Sequence, residues 1–307
     1  MSAPLGKLVD IGGGRRLHLV ACGSGSPTVV FESGGAGGSS IQDMPVQRMV
    51  GQFTRAVVYD RAGLGWSDPA PPGRSFEERV ADLHAALART ETPPYVLVGL
   101  SFGGLLARVF TRLYPNEVAG LVLVDGGDAE KYFSTMVHMR AVHERQLRDE
   151  IEAVESGELR RRLEKALARA RWFNAAEKAA ILDLVPRASH YRTGLDEFSA
   201  IDRTPDDMKR AGGFGTLGAR PLIVLGRGVS AGGEMSAWDE GYAESQARLA
   251  ALSTNSAKFI AAGIGHSIAL EHPRLVAAAI AAVVAAVKSG ALDTNDVARL
   301  AAEGAGD

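Results

Sequence analysis

No second cysteine accompanies Cys22 in the 307 residues, so no disulfide can form within the chain. A secreted scaffold held by disulfides is therefore excluded. Excess charge of either sign is also missing: 34 Lys and Arg stand against 36 Asp and Glu. Nothing in that balance calls for nucleic acid or an anionic membrane surface as a partner. Long apolar runs are scarce. The opening MSAPLGKLVDIGGG has no apolar core of a signal peptide. The alanine-rich LVAAAIAAVVAAV at 275–287 is too short to span a bilayer and follows Pro273, a good first helical residue. It reads as a packed helix, and the cytoplasm is the expected location.

What is present is alternation. KLVDI and RRLHLVACG flank a glycine triplet and predict a β-hairpin. PTVVFE, RAVVYD (55–60), PYVLVGL, VAGLVLVD (118–125), RPLIVLGRG (220–228) and AKFIAAG predict buried strands. Helical patterns separate them at 75–90, 102–114 and 239–252, with the last helix after Pro273. Ser75 and Glu78 carry a capping-box signal at the first. The fold class is α/β: a mostly parallel sheet covered on both faces, with an antiparallel hairpin at one edge.

The alternation fails between about 129 and 215. There MRAVHERQLRDEIEAVESGELRRRLEKALARARWF has helical spacing, with Leu147, Ile151 and Val154, then Leu159, Leu163 and Leu167. The expected organisation is a core of 1–128 and 216–290, a helical cap at 129–215 and a flexible tail at 291–307. Arg160, Arg161 and Arg162 are interleaved with Glu155, Glu158 and Glu164, which predicts a solvated helix face.

Ser101 stands in VGLSFGG, where a strand runs directly into a helix. That is the geometry of a nucleophile held on a sharp turn, with free amides and a positive helix end beside it. Gly99 and Gly103 let the backbones approach there. A serine hydroxyl needs a base. His18 lies on a strand, His84 on a helix, and His138, His143 and His190 in the insertion, where structural roles are expected. His272 precedes Pro273. His266 lies in GIGHSIALEHP, just after the last strand and on the same sheet edge as Ser101, and is the expected base.

With these motifs in hand, the chain resembles the α/β-hydrolase fold family, in its single-cap form. VVFESGGAGG, VVYDRAGLGWSD, VGLSFGGLLA, GLVLVDG, PLIVLGRG and GIGHSIALEHP carry the resemblance. It implies an α/β-hydrolase fold, with Ser101 as nucleophile and His266 as base. It also implies an oxyanion hole from the Phe102 amide and an amide of the loop after VVFE. Gly35 is assigned there, with Gly34 and Ala36 as near alternatives. Ser33-Gly34 replaces the His-Gly of many members. The family's acid often follows the strand at 221–226, but no aspartate stands close in LGRGVSAGGEMSAWDEG. Other members place it one strand earlier, where Asp125 stands. Asp125 is the assigned acid, with Glu234 and Asp239 as alternatives.

Asp60 and Arg61 read as a structural turn with an internal ion pair, and Cys22 as an incidental thiol. Gly35-Ala36-Gly37-Gly38-Ser39-Ser40 lacks the third glycine of a dinucleotide fingerprint, and chemistry by a serine, a histidine and an acid needs no cofactor or metal. The expectation is a serine esterase acting on small to medium apolar ester substrates. Amide, thioester, lactone or C–C bond hydrolysis by the same triad, and a non-catalytic ligand-binding protein on this fold, are the alternatives. Tyr132, Phe133, Trp172, Phe173, Tyr191 and Phe198 are candidates for an acyl pocket.

Overall fold

Eight strands form one sheet in the order β1-β2-β4-β3-β5-β6-β7-β8. The computed structural model describes residues 3–199 and 214–304. The end of the predicted cap, at 200–213, and the last three residues of the predicted tail lie outside the described residues. The strands are β1 Lys7–Gly12, β2 Arg15–Cys22, β3 Thr28–Glu32, β4 Ala56–Tyr59, β5 Tyr95–Leu100, β6 Val118–Val124, β7 Leu222–Arg227 and β8 Ser256–Ala261. β1 and β2 pair antiparallel, as do β2 and β4. Every pairing from β4 through β3 to β8 is parallel.

The central strands are apolar on both sides because both sides are covered. Along β5, Tyr95 and Leu97 enter one core cluster, while Val96 and Val98 enter the other. This is the two-residue period of a strand buried on both faces. Between the strands lie α1 (Met44–Val50), α2 (Phe76–Thr90) and α3 (Phe102–Leu113). The Ser75–Glu78 capping box starts α2. After β6 the described residues form α4 (Ala129–Glu155), α5 (Glu158–Arg169), α6 (Ala175–Leu184) and α7 (Ala188–Ser199). A 3-10 helix, Gly233–Trp238, follows β7, and then come α8 (Tyr242–Ala250), α9 (Ile268–Glu271) and α10 (Pro273–Ser289). The arginine run lies exposed on α5, paired with Glu164, Glu158 and Glu150.

Two elements depart from the sequence reading. The sequence pattern does not predict α1. The tail does not fray where it is described: Asn295–Glu303 form α11. Val297 and Ala301 are buried there, and the Ala262 amide donates to the Ala301 carbonyl. Val297 and Ala301, four apart, with Leu300 packed beside them, seat this short helix on β8 and α10. No helix among the described residues is long and apolar enough to cross a membrane.

Candidate active site

Three non-glycine residues among those described have positive φ: Ala36 (56°), Ser101 (51°) and Asp125 (42°). All three line one cavity of about 280 Å³ at the carboxyl edge of the sheet. Such backbone strain persists only where surrounding contacts over-determine it.

At Ser101 those contacts are visible. The residue has φ 51° and ψ −116° and sits between β5 and α3. Its amide donates to the Val124 carbonyl, and its own carbonyl accepts from the Gly104 amide. A Cβ at Gly99 would lie 2.5 Å from Gly104 Cα, and one at Gly103 would lie 2.0 Å from the Glu32 carbonyl oxygen. The two small residues flanking the serine are thus required by backbone packing. The Phe102 amide opens α3 and makes no hydrogen bond among the described residues.

Across from it runs the loop after β3. A Cβ at Gly35 would lie 3.1 Å from Phe102 Cβ, so the two backbones are close neighbours. The Gly35 amide also has no acceptor among the described residues. Arg61 fixes this loop. It donates to the carbonyls of Ser33 (2.7 Å) and Gly34 (2.6 Å), and pairs with Glu197 of α7 at 2.7 Å. Ser33 Oγ donates to Asp43, and His190 of α7 bonds the Gly37 carbonyl. The pair expected between Asp60 and Arg61 does not form. Asp60 instead accepts from His18 at 2.9 Å and from the amides of Ser40 and Trp66. Those partners lie nearer to Asp60 in space than Arg61, whose guanidinium is drawn under the loop.

His266 Nδ1 lies 2.5 Å from Asp125 Oδ2. Its side chain is 61% exposed and lines the cavity, with Nε2 left for another partner. The Asp125 side chain is only 1% exposed. Burial disfavours its charge. Hydrogen bonds from His266 and Tyr242, with the charges of His266 and Arg227, outweigh that and hold the carboxyl below its usual range. The Tyr242 hydroxyl donates to Asp125 Oδ1 and accepts from the Arg227 amide at 2.7 Å. Arg227 Nη1 lies 3.4 Å from both carboxylate oxygens.

The two alternative acids are placed elsewhere. Asp239 pairs with Arg227 at 2.8 Å and accepts from Ser230 Oγ and the Ala231 and Gly232 amides. Glu234 faces outward and pairs with Arg145. The sequence reading does not point to Arg227 or Tyr242. Arg227, at the end of β7, was the only available signal: a charged residue closing a buried strand.

The insertion contributes Tyr132, Met136, His143 and Phe198 to the cavity wall, and the 3-10 helix adds Met235 and Trp238. Of the proposed acyl-pocket aromatics, Tyr132 and Phe198 line the cavity. Phe133 packs on Phe76 and Phe214, Tyr191 on His190, and Trp172 under Arg274. Phe173 packs beside the second core cluster.

A family model described as "Alpha/beta hydrolase family" matches residues 29–279. The chain belongs to the alpha/beta hydrolase family. Among its relatives, the uncharacterised protein YbdG of Bacillus subtilis is 28% identical over 129 residues, 41% of this chain and 39% of YbdG. The 2-hydroxy-6-oxo-2,4-heptadienoate hydrolase of Pseudomonas putida is 31% identical over 127 residues, 40% of this chain and 45% of that enzyme. These matches span less than half the length of either relative. A thermophilic esterase from Thermogutta terrifontis superposes with a TM-score of 0.60 at 20% identity, covering 91% of this chain and 97% of the esterase. The epoxide hydrolase CorEH gives 0.61 at 18%, covering 88% and 94%. The α/β-hydrolase fold is thereby shared with enzymes of different chemistry.

Proposed function

We propose that this α/β-hydrolase family member is a serine hydrolase that cleaves carboxylic esters of small to medium apolar substrates through an acyl-enzyme. The observation that carries the reading is the convergence on one cavity of a strained Ser101 and a histidine whose Nδ1 is held by a buried carboxylate.

Asp125 keeps the proton on His266 Nδ1, so Nε2 presents its lone pair to the cavity. Nε2 takes the Ser101 proton as Oγ attacks the ester carbon. The carbonyl electron pair moves to oxygen, and the Gly35 and Phe102 amides receive the oxyanion. Each such donor is worth about 3 kcal/mol. The pair then returns, the bond to the alcohol oxygen breaks, and His266 protonates the leaving alcohol. Water, deprotonated by His266, attacks the acyl-enzyme and releases acid and free Ser101. The helices following β6 act as a cap over Ser101, and Tyr132, Met136 and Phe198 receive the apolar part of the ester. The partner is a small-molecule ester. A cytoplasmic location fits the lone, half-buried Cys22.

A fluorophosphonate probe with peptide mapping tests the reading. The expected result is one adduct, on Ser101, lost in Ser101→Ala and strongly slowed in His266→Ala. Folded wild-type protein that takes no adduct would sink it.

A further inference from the structure

The cavity is ringed by side chains in a closed series. Phe102 neighbours Tyr132 at 6.5 Å between ring centroids, Tyr132 neighbours Trp238 at 5.5 Å, and Trp238 neighbours His143 at 6.1 Å. His143 neighbours Phe198 at 5.3 Å, and Phe198 returns to Gly35, whose Cβ would lie 3.7 Å from Phe198 Cε1. All six residues line the cavity. The series therefore starts and ends on the two amides assigned to the oxyanion, with Trp238 and His143 one ring away on either side.

Two ring atoms in this series are buried without a hydrogen-bond partner: Trp238 Nε1 and His143 Nε2. Buried polar atoms are nearly always paired, so two orphans on residues that line one cavity require an explanation. The other polar groups at this wall are satisfied: Tyr242 and Arg227 bond Asp125, and Lys131 Nζ donates to the Ala237 carbonyl at 2.8 Å. An indole N–H can only donate, and a neutral imidazole donates from one nitrogen. Burial holds His143 below its usual range and so favours the neutral ring, against the opposing pull of a hydrogen bond with Gln146. With the His143 proton on Nε2, both orphans are donors, and the group that satisfies them is an acceptor oxygen. The Lys131 ammonium, held against the residue before Trp238, adds positive charge on the same side.

We propose that Trp238 and His143 form a subsite for a second carbonyl-type oxygen of the substrate, a ketone or carboxylate carried a few atoms from the scissile carbonyl. The preferred substrates are then oxo-esters or monoesters of dicarboxylic acids rather than plain alkyl esters. This inference rests on the ester-cleaving reading of Ser101.

The test compares kcat/KM for 4-nitrophenyl pentanoate, 4-nitrophenyl 4-oxopentanoate and the mono-4-nitrophenyl ester of glutaric acid. The wild type should favour at least one acceptor-bearing ester by about 3- to 10-fold, as one or two buried hydrogen bonds provide. Trp238→Phe, which keeps a ring and removes the donor, should bring that ratio near one. His143→Phe should do the same and serves if Trp238→Phe fails to fold. A wild-type ratio within twofold for all three esters, or a preference that survives both variants, overturns the subsite. If no ester is turned over, the hydrolase reading fails by itself. Calorimetric titration of methyl 4-oxopentanoate against methyl pentanoate then decides the subsite: tighter binding of the oxo ester sustains it, and equal or absent binding refutes it.

Discussion

Arg61 Nη2 donates to the carbonyl oxygen of Gly34, 2.6 Å away, and so holds the residue immediately before Gly35. The same guanidinium is buried against Glu197 of α7. Arg61→Met would free two loop carbonyls and leave Glu197 buried, with Arg79 as its next cation at 3.9 Å. Breaking one side of such a pair costs about 3–5 kcal/mol. Urea unfolding should show that loss, and kcat should fall more than KM rises because the oxyanion amides lose their support. Arg61→Lys should recover part of the stability and little of the rate, since an ammonium cannot reach both carbonyls and Glu197. Wild-type stability in Arg61→Met would contradict this account.

Asp125, Asp239 and Glu234 can be separated by amidation. Asp125→Asn should lower kcat by about 10³- to 10⁴-fold, because His266 loses the acceptor that fixes its tautomer. Asp239→Asn should affect stability before rate, since its oxygens close the turn at 230–232 and hold Arg227. Glu234→Gln, with an exposed side chain paired to Arg145, should leave kcat/KM within about twofold. Tyr242→Phe removes one donor from the Asp125 carboxylate and should cost about tenfold. Steady-state kinetics on one 4-nitrophenyl ester checks all four. A larger loss in Asp239→Asn than in Asp125→Asn would reassign the acid.

Those residues also mark where sequence reasoning reached its limit. Ser101 and its flanking glycines are legible because strand, corner and helix are contiguous. The His266 loop and Asp125 are legible as strand ends on one sheet edge. Arg61 is not, because its partner Glu197 lies 136 residues away and its other partners are backbone carbonyls. Neither are His143 and Trp238, which meet only when α4 folds back over the 3-10 helix after β7. The tail helix hid behind a small, polar composition in which Val297 and Ala301 are buried and Leu292 and Leu300 pack beside them.

Glu32 and Asp43 are buried at the loop after β3, and burial pushes both carboxyls up to about 7, against the pull of Arg61. In the unfolded chain they titrate near 4. Between about pH 4 and 7 the folded state therefore binds more protons, and stability falls as pH rises through that window. His143 and His190, held below their usual range by burial, act in the opposite sense below about pH 6.5. The net wild-type slope mixes both, so the difference between Glu32→Gln and wild type isolates the carboxyl. Relative to wild type, Glu32→Gln should gain stability from pH 5 to pH 8, by up to about 1.4 kcal/mol per pH unit within the window. Parallel urea-derived stability curves for the two proteins would refute it.

Adjacent glycines provide the last test. A Cβ at Gly103 would lie 2.0 Å from the Glu32 carbonyl oxygen and 2.7 Å from that of Ser33, both backbone atoms at the root of the loop after β3. At Gly104 the nearest atom is Leu123 Cδ2 at 3.6 Å, an ordinary contact. Gly104→Ala should be neutral or should stabilise α3 by up to about 1 kcal/mol, the usual gain of alanine over glycine in a helix. Gly103→Ala must push α3 away from β3, which overpacking precedent puts at about 1–3 kcal/mol or more. The same displacement moves Phe102 relative to Gly35, so fluorophosphonate labelling of Ser101 should slow in Gly103→Ala and hold its rate in Gly104→Ala. If both variants unfold and label alike, close backbone contact is not what fixes the turn, and the glycine beside Ser101 serves only its own chain flexibility.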